Sequence, residues 1–224
     1  MTLARPTLRS KAARSGSGLP SSLKRPRDRA GQLGPPTDRL TTRSVRDLQP
    51  ILTKLAYAQA SFVRAADVIG ARLWHEQPQP GCWSAGDLVA HLSDVERGVR
   101  GYAARIIRKA PVPVPFYKRM HVPLALVEAR VAKRKVPAIV TPSTELADKE
   151  TMLAELRSVR ERTLAFLEET RLRDLGAYGW RHPFLGRLNF YDWFRFIAAH
   201  EIRHSKQMRE IAQNLRKGVA TSRN

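Results

Sequence analysis

Two histidines one helical turn apart are the first residues whose type and spacing could do chemistry. His200 and His204 stand in the string His200-Glu201-Ile202-Arg203-His204, and both fall on the apolar stripe Phe190, Trp193, Ile197, His200, His204, Met208, Ile211. Residues i and i+4 of a helix share a face, so the two imidazoles point inward side by side. A third histidine, His91, lies on another apolar stripe, between Leu88 and Val95. One inward imidazole is most simply a satisfied core histidine. Three converging from two helices point instead to ligands of a single divalent ion, with a position left open for water or substrate. All-imidazole ligation suits zinc, nickel, iron or copper, so the metal stays open at this stage.

The same string matches H-E-x-x-H, the pattern in which the glutamate of a zinc protease acts as general base. The extended form fails here, because position 207 is Gln, position 210 is Glu and no histidine follows His204. A protease is therefore set aside. Glu201 remains a candidate catalytic base, or a partner that fixes an imidazole tautomer, against the simpler reading of a solvated carboxylate paired with a nearby arginine.

Four segments with a 3.6-residue apolar period must position these groups. The first runs from about 50 to 75, with Leu52, Leu55, Phe62, Ala66, Ile69 and Leu73 on its stripe and Pro50 in its first turn. The second opens at Ser84, with Asp87 three residues on as in a capping box, and continues through Leu88, Leu92, Val95, Val99, Tyr102 and Ile106 to a stop at Pro111. The third covers about 148 to 169, and the fourth starts at Asn189, with Asp192 three residues on and Gly218 at its exit. Six prolines mark a long connection, about 110 to 147, in which 122–135 reads as a short extra helix. With no strand-like alternation, the expectation is an all-α four-helix bundle with one long crossover between helices two and three, occupying residues 46–217.

Residues 1–45 carry ten basic residues against Asp28 and Asp38, with no aromatic residue among Ser, Gly and Pro. Such a stretch cannot bury enough apolar surface to offset its ordering entropy and reads as a disordered basic tail. A transit peptide or an over-extended start site would look similar. The whole chain of 224 residues has a net charge of +20, and Arg outnumbers Lys. That balance fits a polyanion partner such as nucleic acid, and equally a coding bias that scatters arginine over solvated faces. A single cysteine, Cys82, excludes an internal disulfide, and no window is apolar enough to span a membrane, so the expected setting is a reducing cytoplasm.

Other residues carry weaker readings. Gln59 and Thr163 fall on inward faces and would either line a pocket or satisfy one another. Cys82 has no motif partner and reads as an incidental thiol. Trp83 is expected to pack at a helix entry, and Trp193, Phe194 and Phe196 in the core. His182-Pro183 reads as a turn before the last helix, while His75 and His121 have no motif support.

Taken in order, Trp83-Ser84, His91-Leu92-Ser93-Asp94-Val95-Glu96, Val136-Pro137, Pro142-Ser143, His182-Pro183-Phe184-Leu185-Gly186-Arg187-Leu188, and His200 to His204 with Gln207 resemble the DinB-like superfamily over roughly residues 50 to 213. The resemblance implies a four-helix bundle with a three-histidine metal site, carried over to His91, His200 and His204. It says nothing about residues 1–45. Members include transferases and isomerases that use low-molecular-weight thiols, and metal-dependent hydrolases; the damage-inducible name does not imply DNA binding. The expected function is a metal-dependent enzyme, thiol S-transferase or hydrolase, acting on a small electrophile through zinc, nickel or iron. A homodimer through helix faces is compatible with this. The alternative is a non-catalytic bundle that binds nucleic acid or another polyanion through its basic surface and tail; no membrane partner is expected.

Overall fold

The computed structural model describes residues 47–112, 123–129 and 147–221. The basic segment 1–45 and the crossover residues on either side of 123–129 lie outside that range, as do His121, Val136, Pro137, Pro142 and Ser143. Four long helices form the bundle: α1 (Gln49–Asp67), α2 (Ala85–Ile106), α4 (Lys149–Glu169) and α5 (Phe190–Thr221), with the short α3 (Ala125–Ala129) inside the crossover. The chief packing pairs are α1 with α5 and α2 with α4, and α2 also meets α5. Among the described residues, no helix is long and apolar enough to cross a membrane.

Local chemistry sets most boundaries. Ser84 and Asp87 form a complete capping box: the Asp87 backbone N–H donates to Ser84 Oγ (3.1 Å) and the Ser84 N–H donates to the Asp87 carboxylate (2.9 Å). Asp148 caps α4 by accepting from the Thr151 N–H at 2.7 Å, and Asn189 caps α5 by accepting from the Asp192 N–H at 3.0 Å.

Four sequence expectations need correction. The first helix stops at Asp67, not near 75: Gly70 is extended, and the chain resumes as one 3-10 turn, Ala71–Leu73. That turn seats Trp74, fully buried, whose indole N–H donates to Met152 Sδ and whose carbonyl accepts from the Gly86 N–H. A Cβ at Gly86 would lie 2.8 Å from the His75 ring, so a larger residue there would have to displace that exposed side chain. Strands are present as well: β1 (Gly179–His182) and β2 (Gly186–Asn189) pair antiparallel. They are too short to show alternation, and Gly186 (φ 88°) makes the turn between them. Gly218 does not end α5, which continues to Thr221, and it is not among the glycines with positive φ. Tyr102 is exposed, not on the core stripe, and its ring lies 5.0 Å from Trp180 of the hairpin.

The apolar core falls into two clusters. One gathers Ile51, Leu55, Val99, Leu167, Leu188, Phe190, Phe194 and Ile197; the other gathers Phe62, Trp74, Leu88, Leu92, Leu156, Met208 and Ile211. Between them along the helices lies a polar layer centred on Arg160 of α4. Its guanidinium donates to both Glu96 oxygens of α2 (2.8 and 2.9 Å), to Glu201 of α5 (2.8 Å) and to the Leu55 carbonyl of α1. Burial disfavours the cation, yet the hydrogen bonds and charges of Glu96 and Glu201 outweigh it and hold Arg160 protonated.

Breaking a buried ion pair from one side leaves charge without a partner, at a cost of about 3–5 kcal/mol. Arg160→Ala is therefore expected to lower unfolding free energy by about that amount, read as a shift of the urea midpoint. Ser84→Ala, which removes only the cap, should cost about 1 kcal/mol.

Candidate metal centre

α2 and α5 cross so that three imidazoles meet beside the Arg160 layer. The Nε2 atoms of His200 and His204 are 3.0 Å apart, and those of His91 and His200 3.4 Å. All three ligand atoms lie within 4.8 Å of one another. Imidazole nitrogens on one tetrahedral zinc ion, each at about 2.0–2.1 Å, would be separated by about 3.3 Å. Two of the three separations thus fit donors around one cation, and the third pair lies within 4.8 Å. The cluster fits poorly with three independent core histidines, because a neutral ring carries one N–H and the converging nitrogens cannot all be satisfied by each other.

Protonation agrees with this. Burial pushes the His91 pKa down to about 4, and burial followed by repulsion from His204 and His91 puts His200 well below the usual histidine range. Both rings are neutral near pH 7, as ligands must be. His204 Nδ1 lies 3.0 Å from Gln207 Oε1, so Nδ1–H donates to the amide oxygen and the Nε2 lone pair is turned to the centre. The Trp83 ring covers one side, 4.8 Å from His91 and 6.5 Å from His204. Its place at the helix entry was legible in the sequence; its role as a wall of the centre was not. His91 and His204 are buried (8% and 6% exposed), whereas His200 is only partly buried.

Glu201 is placed elsewhere. Its carboxylate points to Arg160 in the core, with Oε1 enclosed and unpartnered, and it makes no hydrogen bond to the histidines. The alternative reading of a solvated, arginine-paired carboxylate holds for the pairing and fails for the solvation, and burial raises the Glu201 pKa to about 7 against the opposing pull of Arg160. Gln59 and Thr163 do not satisfy one another: the first donates to the Leu156 carbonyl and the second to that of Val159. Cys82 is exposed. Arg160 and Glu96 were missed, although each interrupts an apolar stripe with a charge, Arg160 between Leu156 and Thr163 and Glu96 between Leu92 and Val99.

A family model described as the DinB superfamily matches residues 54–208. The chain belongs to the DinB superfamily. The matched span runs from α1 past all three histidines, so the centre lies within the part that carries the membership. The "Uncharacterized protein YuaE" of Bacillus subtilis (strain 168) is 27% identical over 141 residues, covering 63% of this chain and 84% of its own. No solved structure matches. The superfamily is generally metal-binding, in keeping with the three converging histidines.

Two measurements test the centre. Gln207→Ala, which frees His204 without removing a ligand, should weaken zinc affinity about 10–100-fold, and His204→Ala should lose more; equal affinities in a chelator competition would remove both from the site. The pH response of the metal-free protein has a definite sign. His91 and His182, both with pKa lowered to about 4 by burial, contribute stability that is present above pH 6.5 and lost as pH falls through 4. Glu201, raised to about 7 from 4.5, acts oppositely, contributing stability below 4.5 that is lost as pH rises through 7. With His200 also lowered, the histidines outnumber the glutamate, so the urea midpoint should fall from pH 7 to pH 5.

Proposed function

We propose that this chain is a metal-dependent enzyme in which His91, His200 and His204 hold one divalent ion, zinc, nickel or iron, and a small electrophilic substrate is attacked beside it. The convergence of three imidazole nitrogens from two helices, with His200 only partly buried, carries the reading. When bound, the ion supplies Lewis acidity that favours the deprotonated form of a water or a thiol. Three neutral imidazoles suit either nucleophile, so the reaction is hydrolysis or S-transfer from a low-molecular-weight thiol.

The residues around the centre divide the work. His91 and His204 are fixed by burial, and Gln207 orients His204. Trp83 excludes water from one flank, which strengthens electrostatic interactions inside. Arg160, held by Glu96 and Glu201, fixes the rotation and register of α5 against α2, and so the distance between His91 and the other two rings. In this reading Glu201 positions the ligands through the helix that it shares with them.

The competing reading, a bundle that binds polyanions, draws on the +20 charge. The two separate in one experiment. Protein purified without a metal-affinity tag is expected to hold about one equivalent of transition metal and to lose it in His91→Ala, together with activity against panels of thiol-accepting and hydrolysable electrophiles. A metal-free protein that takes up no zinc, nickel or iron, yet binds nucleic acid with a steep salt dependence, would replace the enzyme reading with the other.

A further inference from the structure

His182 lies outside the ligand set, yet three features mark it as a polar group that acts next to His200. The first is its tautomer. Nδ1 sits 3.1 Å from the Phe184 backbone N and 3.2 Å from that of Leu185 and accepts from both, so a neutral ring carries its proton on Nε2. Burial lowers the pKa of this ring to about 4, which keeps it neutral near pH 7. The second is its free donor. Nε2 has no hydrogen-bond partner among the described residues, and it is not among the enclosed unpartnered atoms, so it reaches solvent from an otherwise buried ring. The third is its place. The ring packs 4.5 Å from Phe196, and Phe196 stacks at 5.2 Å on His200, the one ligand that is only partly buried.

The charges around His200 indicate what the donor meets. Those that act on it most strongly are His204, His91, His182 and Arg203, and the adjacent Glu201 is engaged with Arg160. A divalent ion on three neutral imidazoles keeps both its positive charges. Such a site selects an anionic group, and a neutral N–H beside it adds direction.

We propose that His182 is a substrate-holding residue that donates its Nε2–H to a carboxylate or similar oxyanion of a substrate bound beside His200 of the three-histidine centre. The proposal rests on the metal-enzyme reading and names its substrate class: a small electrophile that carries an anionic group. The β1–β2 hairpin is then part of the site, because its turn fixes the tautomer that makes His182 a donor.

The test uses the full chain loaded with cobalt(II), whose visible spectrum reports ligands that reach the metal, titrated with acetate and separately with neutral imidazole. His182→Asn keeps an acceptor for the turn but has no group at the Nε2 position; His182→Gln does the reverse. Both are expected to take up one equivalent of cobalt, as wild type does. Acetate affinity should fall about 10–100-fold in His182→Asn, the size of a lost hydrogen bond to a charged group, and recover largely in His182→Gln. Imidazole affinity should stay unchanged throughout. Should His182→Asn not fold, His182→Gln against His182→Phe makes the same comparison, since both lose the turn acceptor and only Gln keeps a donor. Wild-type acetate affinity in His182→Asn, equal losses for acetate and imidazole, or loss of cobalt in the variant would each overturn the role of His182 alone. Failure of the wild-type protein to bind cobalt would overturn the metal centre, and this proposal with it.

Discussion

A guanidinium does not lose its proton at any pH at which this bundle is folded, so an arginine inside a core must be matched by acceptors or leave. Arg160 is 2% exposed and is matched from three other helices: two Glu96 oxygens, one Glu201 oxygen and the Leu55 carbonyl. Each bond restricts how α1, α2 and α5 can slide or rotate against α4. Apolar packing tolerates such slips more readily, because it is not directional. The polar layer therefore supplies the register that the two apolar clusters on either side leave loose.

That register is what brings the histidines together. Glu96 follows His91 on α2 by five residues, and Glu201 lies between His200 and His204 on α5. Fixing the two glutamates on one guanidinium fixes the crossing of α2 and α5 at the height where the imidazoles meet. The order of layers also separates charge from chemistry. The Glu96 and Glu201 carboxylates face Arg160, and the imidazoles face one another in a cluster that includes no carboxylate among the described residues. A centre of neutral ligands with its counter-charges spent elsewhere stays electropositive once it holds a divalent ion, which suits it to anionic nucleophiles and substrates.

The membership in the DinB superfamily and the helical architecture were legible because their signals are local or periodic. Stripes at 3.6 residues, Ser84 with Asp87, and Asn189 with Asp192 each work within a few residues of chain. The points that were misread are those where tertiary contact overrides a local signal. Gly70 breaks a stripe that continues inward through Trp74, the hairpin is too short for a period, and α5 runs on through Gly218. Glu201 could be read either as a base beside the histidines or as a solvated flank residue, because its partner, Arg160, lies 41 positions earlier on another helix.

Read in order, the chain already names the candidate ligands, three inward histidines at helical spacing on two stripes, and shows a charge excess spread along its length. Residue type and helical period suffice for that, since both are properties of the chain read in order. It took the packing of the helices to show that the three imidazoles cluster with ligand atoms within 4.8 Å of one another, that Glu201 turns away from them to Arg160, and that His182 packs against Phe196 with its Nε2 unpartnered among the described residues. Those outcomes depend on rotation and register between helices far apart in sequence, which are set by the buried Arg160 hydrogen bonds and by a hairpin turn that no helical period announces.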